Sequence, residues 1–253
     1  MKATKLIKII TIAGLGLGVI SPAIAIETAA KREIYNTNKG SVYGVKGILK
    51  ITATLQGQVK NQEAQIWSNA TCIGEGLLVA AYASISPNVG GNMPNVEITK
   101  EIESLKLINA AGEEFDAKLV LHDEDLGLAY ISLDPKAENA ASWKSQVVDI
   151  SKDTELGHFD ETINISRYAD HFRYQSAVTV GTVSAILEKP RKLYQILNTA
   201  MSAPSFNEAG VFVGITVAKA AEKGKPTPPV TIPAKYIRKL VEQATSKQAE
   251  LAK

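Results

Sequence analysis

The chain carries three histidines, His122, His158 and His171, and one cysteine, Cys72, in 253 residues. These few side chains bound its chemistry, because imidazole and thiolate are the usual bases and nucleophiles near neutral pH. Acyl transfer by a hydroxyl needs an imidazole to take the proton, a carboxylate to orient it and N–H groups to hold the oxyanion. Ser202, His171 and Asp170 together have the right types, but only if three distances come right at once. The plainer readings differ. His122 is a solvated residue in the turn before Asp125, His158 opens a strand in Gly157-His-Phe-Asp160, and His171 belongs to a polar and aromatic loop. Cys72 lies in a strand-like run with no base beside it, and reads as a small buried hydrophobe. No pair or trio of His, Cys, Asp and Glu has metal-site spacing, so neither a metal nor another cofactor is expected.

Three further groups have two readings each. Lys189-Pro-Arg-Lys192 is a basic turn, either solvated or facing an acidic partner. Tyr168, Phe172 and Tyr174 form either a peptide-binding surface or a loop packed on its own aromatics. Asn69-Ala-Thr71 and Asn164-Ile-Ser166 match glycosylation sequons, which carry meaning only in a eukaryotic secretory pathway.

The elements that must position these groups read as strands. With 18 glycines and 10 prolines the chain favours turns over long helices. Runs rich in Val, Ile, Leu and Thr recur at 42–55, 64–73, 76–82, 104–110, 115–121 and 128–133, and a turn is expected at 111–114. A polar linker (135–146) is followed by a second set at 161–168, 174–187, 192–198 and 210–218. Residues 223–233 read as an extended proline-rich connector. Tyr236, Ile237, Leu240, Val241 and Ala244 then recur at helical spacing and make one apolar stripe. The expected fold is all-β: a double six-stranded barrel (barrel one 41–134, barrel two 147–220) with a closing helix over 233–250.

The amino end reads as a targeting segment. Lys2, Lys5 and Lys8 precede an uncharged run from Ile9 to Ile20, and Ala23-Ile-Ala25 is a small-x-small cleavage pattern. The run falls short of the roughly 20 residues that span a bilayer. Cleavage is expected after Ala25, with residues 26–40 a flexible polar leader and no membrane span in the mature chain. Removing those three lysines from 28 basic groups leaves 25 against 26 acidic ones, a net charge of −1. A neutral chain of this kind argues against nucleic acid as a partner.

Four segments in order resemble the trypsin-like serine peptidases of the Deg/HtrA type. Gly76-Leu-Leu-Val-Ala-Ala-Tyr-Ala-Ser-Ile85 is similar to the family's strand-then-helix segment G-h-h-h-T-x-x-H-V-h. Leu119–Asp134 resembles its Asp-bearing strand pair, Val178–Ile186 its x-x-G-x-V-S-A-h strand, and Phe206–Ile215 the hairpin after its nucleophile. Ile232-Pro-Ala-Lys-Tyr-Ile-Arg238 opens the closing helix as the family's last segment does. The resemblance covers about residues 41–245.

The same alignment implies that the catalytic centre is missing. The family's histidine falls on Ala83 and its aspartate on Gly127, with Asp125 two residues earlier. Its G-x-S-G-G-P loop has no counterpart in Thr199–Gly210, where the nucleophile position falls on Met201 or on Asn207, and Ser202 is the nearest serine. With all three triad positions changed, the resemblance implies an exported pseudopeptidase, periplasmic or extracellular, that acts by binding a peptide or protein. The alternatives are an active serine endopeptidase with relocated or misregistered catalytic residues, and an unrelated β-rich binding domain.

Overall fold

The computed structural model describes residues 26–87, 96–218 and 228–253; the targeting segment expected over 1–25 lies outside them. Six strands, β1 (Val42–Leu55), β2 (Gln58–Gly74), β3 (Leu77–Ala81), β4 (Val96–Ile108), β5 (Glu114–Asp123) and β6 (Leu128–Leu133), close into an antiparallel barrel in the order β1-β2-β3-β6-β5-β4. A single helical turn, α2 (Tyr82–Ile85), leaves the end of β3.

Six more strands form the second barrel: β7 (Glu161–Arg167), β8 (Ser176–Leu187), β9 (Leu193–Leu197), β10 (Pro204–Phe206), β11 (Phe212–Val217) and β12 (Val230–Pro233). Read from β7, their order is β7-β8-β9-β12-β11-β10, the same wiring as the first barrel. Helix α3 (Ala234–Leu251) follows directly. The double six-stranded barrel with a carboxy-terminal helix is a chymotrypsin-like architecture.

Strand alternation divides the apolar residues between cores. Along β3, Leu78 and Ala80 point into barrel one with Leu107, Phe115 and Ile131. Leu77, Val79 and Ala81 point the other way, into a core shared with Phe206, Ile215 and Ile232 of barrel two. The interior of barrel two holds a smaller cluster of Leu156, Val183, Tyr194, Ile196 and Val213.

The leader expected over 26–40 is instead helix α1 (Thr28–Asn38), with Ile26 and Ile34 buried in the shared core and Ala30 packed on it. Ala30 and Ile34 are four apart and share one helix face, and Ile26, just ahead of the N-cap, packs into the same core. That narrow stripe is what the polar composition concealed. The end of the expected connector also differs. Val230 and Ile232 enter the shared core, Thr231 pairs with Tyr194, and the segment becomes β12, so barrel two runs to Pro233 rather than to 220. The stripe expected on the last helix is present: Ile237 and Ala244 are buried, with Tyr236, Leu240 and Val241 packed around them.

Three strands outrun their barrel. β1, β2 and β4 stay paired as far as Leu55↔Gln58 and Leu55↔Val96, forming a three-stranded arm. The register puts Ile51, Ala53, Leu55, Val96 and Ile98 on one face of the arm and Thr52, Asn61, Thr99, Glu63 and Glu101 on the other.

Candidate functional site

The positions expected to have lost the triad meet where the barrels touch. Ala83 lies in α2, whose Tyr82 N–H donates to the carbonyl of Gly127 at 2.8 Å. Gly127 closes the β5–β6 turn at φ +69°, a left-handed conformation that glycine adopts without strain. Asp123 Oδ1 caps the same turn, accepting from Leu126 N–H at 2.7 Å.

Ser202 arrives from barrel two on the β9–β10 loop. Its backbone is also left-handed, φ +61°, and its N–H donates to Thr216 O at 2.8 Å. The side chain is fully buried. Ser202 Oγ accepts from Ala81 N–H at 2.8 Å, lies 3.0 Å from Ser68 Oγ and 3.4 Å from Ser84 Oγ. Ser68 in turn donates to Asn69 O at 3.1 Å. A continuous donor chain therefore runs from Ala81 N–H through Ser202 and Ser68 to a carbonyl, and consumes the Ser202 proton.

The two expected nucleophile positions lie on either side of β10. Met201 packs its side chain against the shared core. Asn207 shapes the β10–β11 turn: its Oδ1 accepts from Val211 N–H at 2.9 Å and Ala209 N–H at 3.1 Å, and its amide donates to Thr154 at 2.9 Å. Neither side chain is placed for proton transfer.

No imidazole is among the partners of Ser202. His122 stacks on Tyr82 of α2, ring centroids 4.6 Å apart. His171 is exposed, 3.6 Å from Asp170 and against Phe172, so Asp170 and His171 meet each other but not Ser202. His158 is exposed on a turn. Asp125 pairs with Arg191, and Lys192 with Glu155 at 3.2 Å, which neutralises much of the basic turn. Cys72 is buried with its thiol pushed up to about 11 by desolvation, and donates to Gly74 O at 3.2 Å. Among the described residues no three potential metal ligands cluster.

Arg167, which the sequence did not single out, binds the barrels together beside this site. Its guanidinium is buried and donates to Val42 O at 2.8 and 3.0 Å, Tyr174 O at 2.7 Å and Lys39 O at 3.2 Å. Its own N–H donates to Asn69 Oδ1 at 2.7 Å. All its recorded acceptors are neutral, and burial lowers its pKa.

The expected aromatic cluster divides. Tyr168 and Phe172 pair on the surface at 5.0 Å, while Tyr174 turns inward against Trp67 at 5.7 Å. Between that loop and the outer face of β1, β2 and β4 lies a groove of about 490 Å³, lined by Lys46, Gln65, Trp67, Lys106, Asp170 and Tyr174. A second hollow, about 500 Å³, opens beside the Ser202 loop over Asn164, Ser166, Thr179 and Asn198. No protein-family model matches this chain, and no curated protein matches it.

Proposed function

We propose that this chain is an exported, Deg/HtrA-type trypsin-like protein without a catalytic centre, acting in the periplasm or outside the cell by binding an extended peptide or partner protein. The observation that carries the reading is the state of Ser202. The serine that barrel two brings to the junction is wholly buried, and its hydroxyl is bonded to Ala81 and Ser68. Ala83 and Gly127 beside it offer neither base nor carboxylate. Hydrolysis by this hydroxyl needs a proton acceptor and an open approach, and both are lacking.

Binding is supported by the groove over Trp67 and Tyr174. Aromatic walls with Lys46, Lys106 and Asp170 at the rim suit a chain of mixed side chains. Among the described residues, the β2 segment forming one wall is paired only with β1, because β3 joins β2 no earlier than Thr71, and an edge of that kind suits strand addition.

A fluorophosphonate probe tests the first half: the native protein stays unlabelled, whereas labelling at one serine, abolished in Ser202→Ala, overturns it. Fluorescence titration with unstructured peptides tests the second. A saturable change in tryptophan emission, lost in Tyr174→Ala, is expected; no saturable change with any peptide overturns it.

A further inference from the structure

We propose that the α-ammonium group created by cleavage between Ala25 and Ile26 is an ionic anchor, held by the carboxylate of Glu161, that fixes helix α1 to barrel two. The inference rests on the export reading above. It adds to it a place where the new end of the chain docks and a reason for cutting at that bond.

Three observations converge on this carboxylate. Ile26 N–H donates to Glu161 Oε2 at 3.0 Å, across 135 residues of chain. The Ile26 side chain is 5% exposed and belongs to the shared core, so its backbone cannot swing away from β7 without uncovering apolar surface. Lys31, one turn along α1, places its Nζ 3.0 Å from the same oxygen. Glu161 therefore gathers the donors at the start of α1, and these hold its carboxyl below the usual range, Lys31 first and Ile26 after it.

The first turn of α1 contains no acidic residue and the N-cap Glu27 makes no capping bond, so Glu161 is the carboxylate bonded at this helix end. Before cleavage, Ile26 nitrogen is a neutral amide with one N–H. After cleavage it is an ammonium group on the same atom, and the bond to Glu161, charged on the acceptor side alone before, becomes an ion pair. Cleavage one residue earlier or later would put the charge elsewhere: one residue spans about 3.5 Å. The small-x-small motif and the Glu161 carboxylate thus select the same bond from opposite directions.

The test begins with the full 253-residue chain expressed in an exporting bacterial host and its product sequenced from the amino end. Ile26 as the first residue is expected. An uncut product overturns export and this inference together; a product cut at another bond leaves export standing and overturns the anchor alone. Next, a serine inserted between Ala25 and Ile26 moves the charge while keeping the Ile26 amide, and cleavage after Ala25 is checked by mass. Its melting temperature is expected to fall by about 2–4 °C, and the same insertion in a Glu161→Gln background to cause no further fall. An equal fall in both backgrounds overturns the anchor. Independently, NMR titration of the processed protein should place the Ile26 amine above its ordinary pKa of about 7.7–8.0. An amine at or below that value overturns the proposal even where a variant fails to fold.

Discussion

Ser202 Oγ of barrel two accepts the main-chain N–H of Ala81 in barrel one at 2.8 Å, in a place sealed from solvent. The bond satisfies a buried donor at the end of β3 and spans the seam between the two barrels. Ser202→Ala strands that N–H, at a cost of about 1–3 kcal/mol. Ser202→Gly loses the same bond but relieves the left-handed backbone, recovering about 1 kcal/mol. Urea unfolding should therefore rank wild type above glycine and glycine above alanine; alanine equal to wild type would contradict this account.

Placing histidine and aspartate at Ala83 and Gly127 should not create a triad. Gly127 sits at φ +69° with Ala218 O 3.4 Å from where a Cβ would stand. Gly127→Asp is expected to lose about 1–2 kcal/mol of stability through left-handed strain alone. Combined with Ala83→His, it should leave ester hydrolysis at background, because the Ser202 hydroxyl stays bonded and buried. Activity above background that disappears with Ser202→Ala would refute this.

Arg167 is a harder test of the seam. Arg167→Met removes the donors of four hydrogen bonds to the carbonyls of Lys39, Val42 and Tyr174, which have been taken out of water. A loss of about 2–4 kcal/mol is expected. Arg167→Lys, with a single point of donation in place of the fork, should recover less than half of it. Full recovery by lysine would show that charge, not geometry, matters there.

Cys72 should be chemically silent in the native state. With the thiol raised to about 11, only a trace of thiolate exists at pH 8, and it is buried. Ellman's reagent should modify it at the rate of unfolding and no faster. Rapid stoichiometric labelling of folded protein would contradict the placement of β2.

Acid should destabilise the fold. Lys46 holds Glu114, Lys118 holds Asp134 and Lys31 holds Glu161 below their ordinary carboxylate values. A carboxyl lowered on folding lends stability above its unfolded pKa, about 4, and that stability is lost as pH falls through the lowered folded values. All three pairs are partly exposed, so each effect is small and screened by salt. Melting temperature is expected to fall steadily below pH 4, less so for a Glu114→Gln variant. A melting temperature flat from pH 6 to 3 would exclude these pairs as contributors.

Much of the fold was legible because its strands are apolar runs, several buried on both faces where the barrels meet. β1 and β6 have the expected limits, 42–55 and 128–133, since both carry apolar residues from end to end. What escaped was of two kinds. The outer half of β2 is a polar, exposed strand held by pairing with β1 rather than by burial, so it leaves no apolar pattern, and in β4 Val96 and Ile98 are spaced among charged residues. β10 and β12 are three and four residues long, too short for alternation to register, and proline sits in both. Of the site, the sequence pointed to Ala83, Gly127 and Ser202 but not to the bonds that surround them. The bond from Ser202 to a backbone nitrogen 121 residues away, and the bare guanidinium of Arg167, depend on the barrels' contact and leave no local signature.

Helix α1 is the first described element of the chain, yet its neighbours are β7 and the shared core rather than the strand that follows it. Eleven residues are marginal as a free helix in water. During synthesis from the amino end, α1 lacks its β7 partner and the barrel-two half of that core until residue 161 and beyond have emerged. The first barrel can close while α1 waits, and the helix docks only when the second has formed. The first described element of the chain is thus among the last to settle.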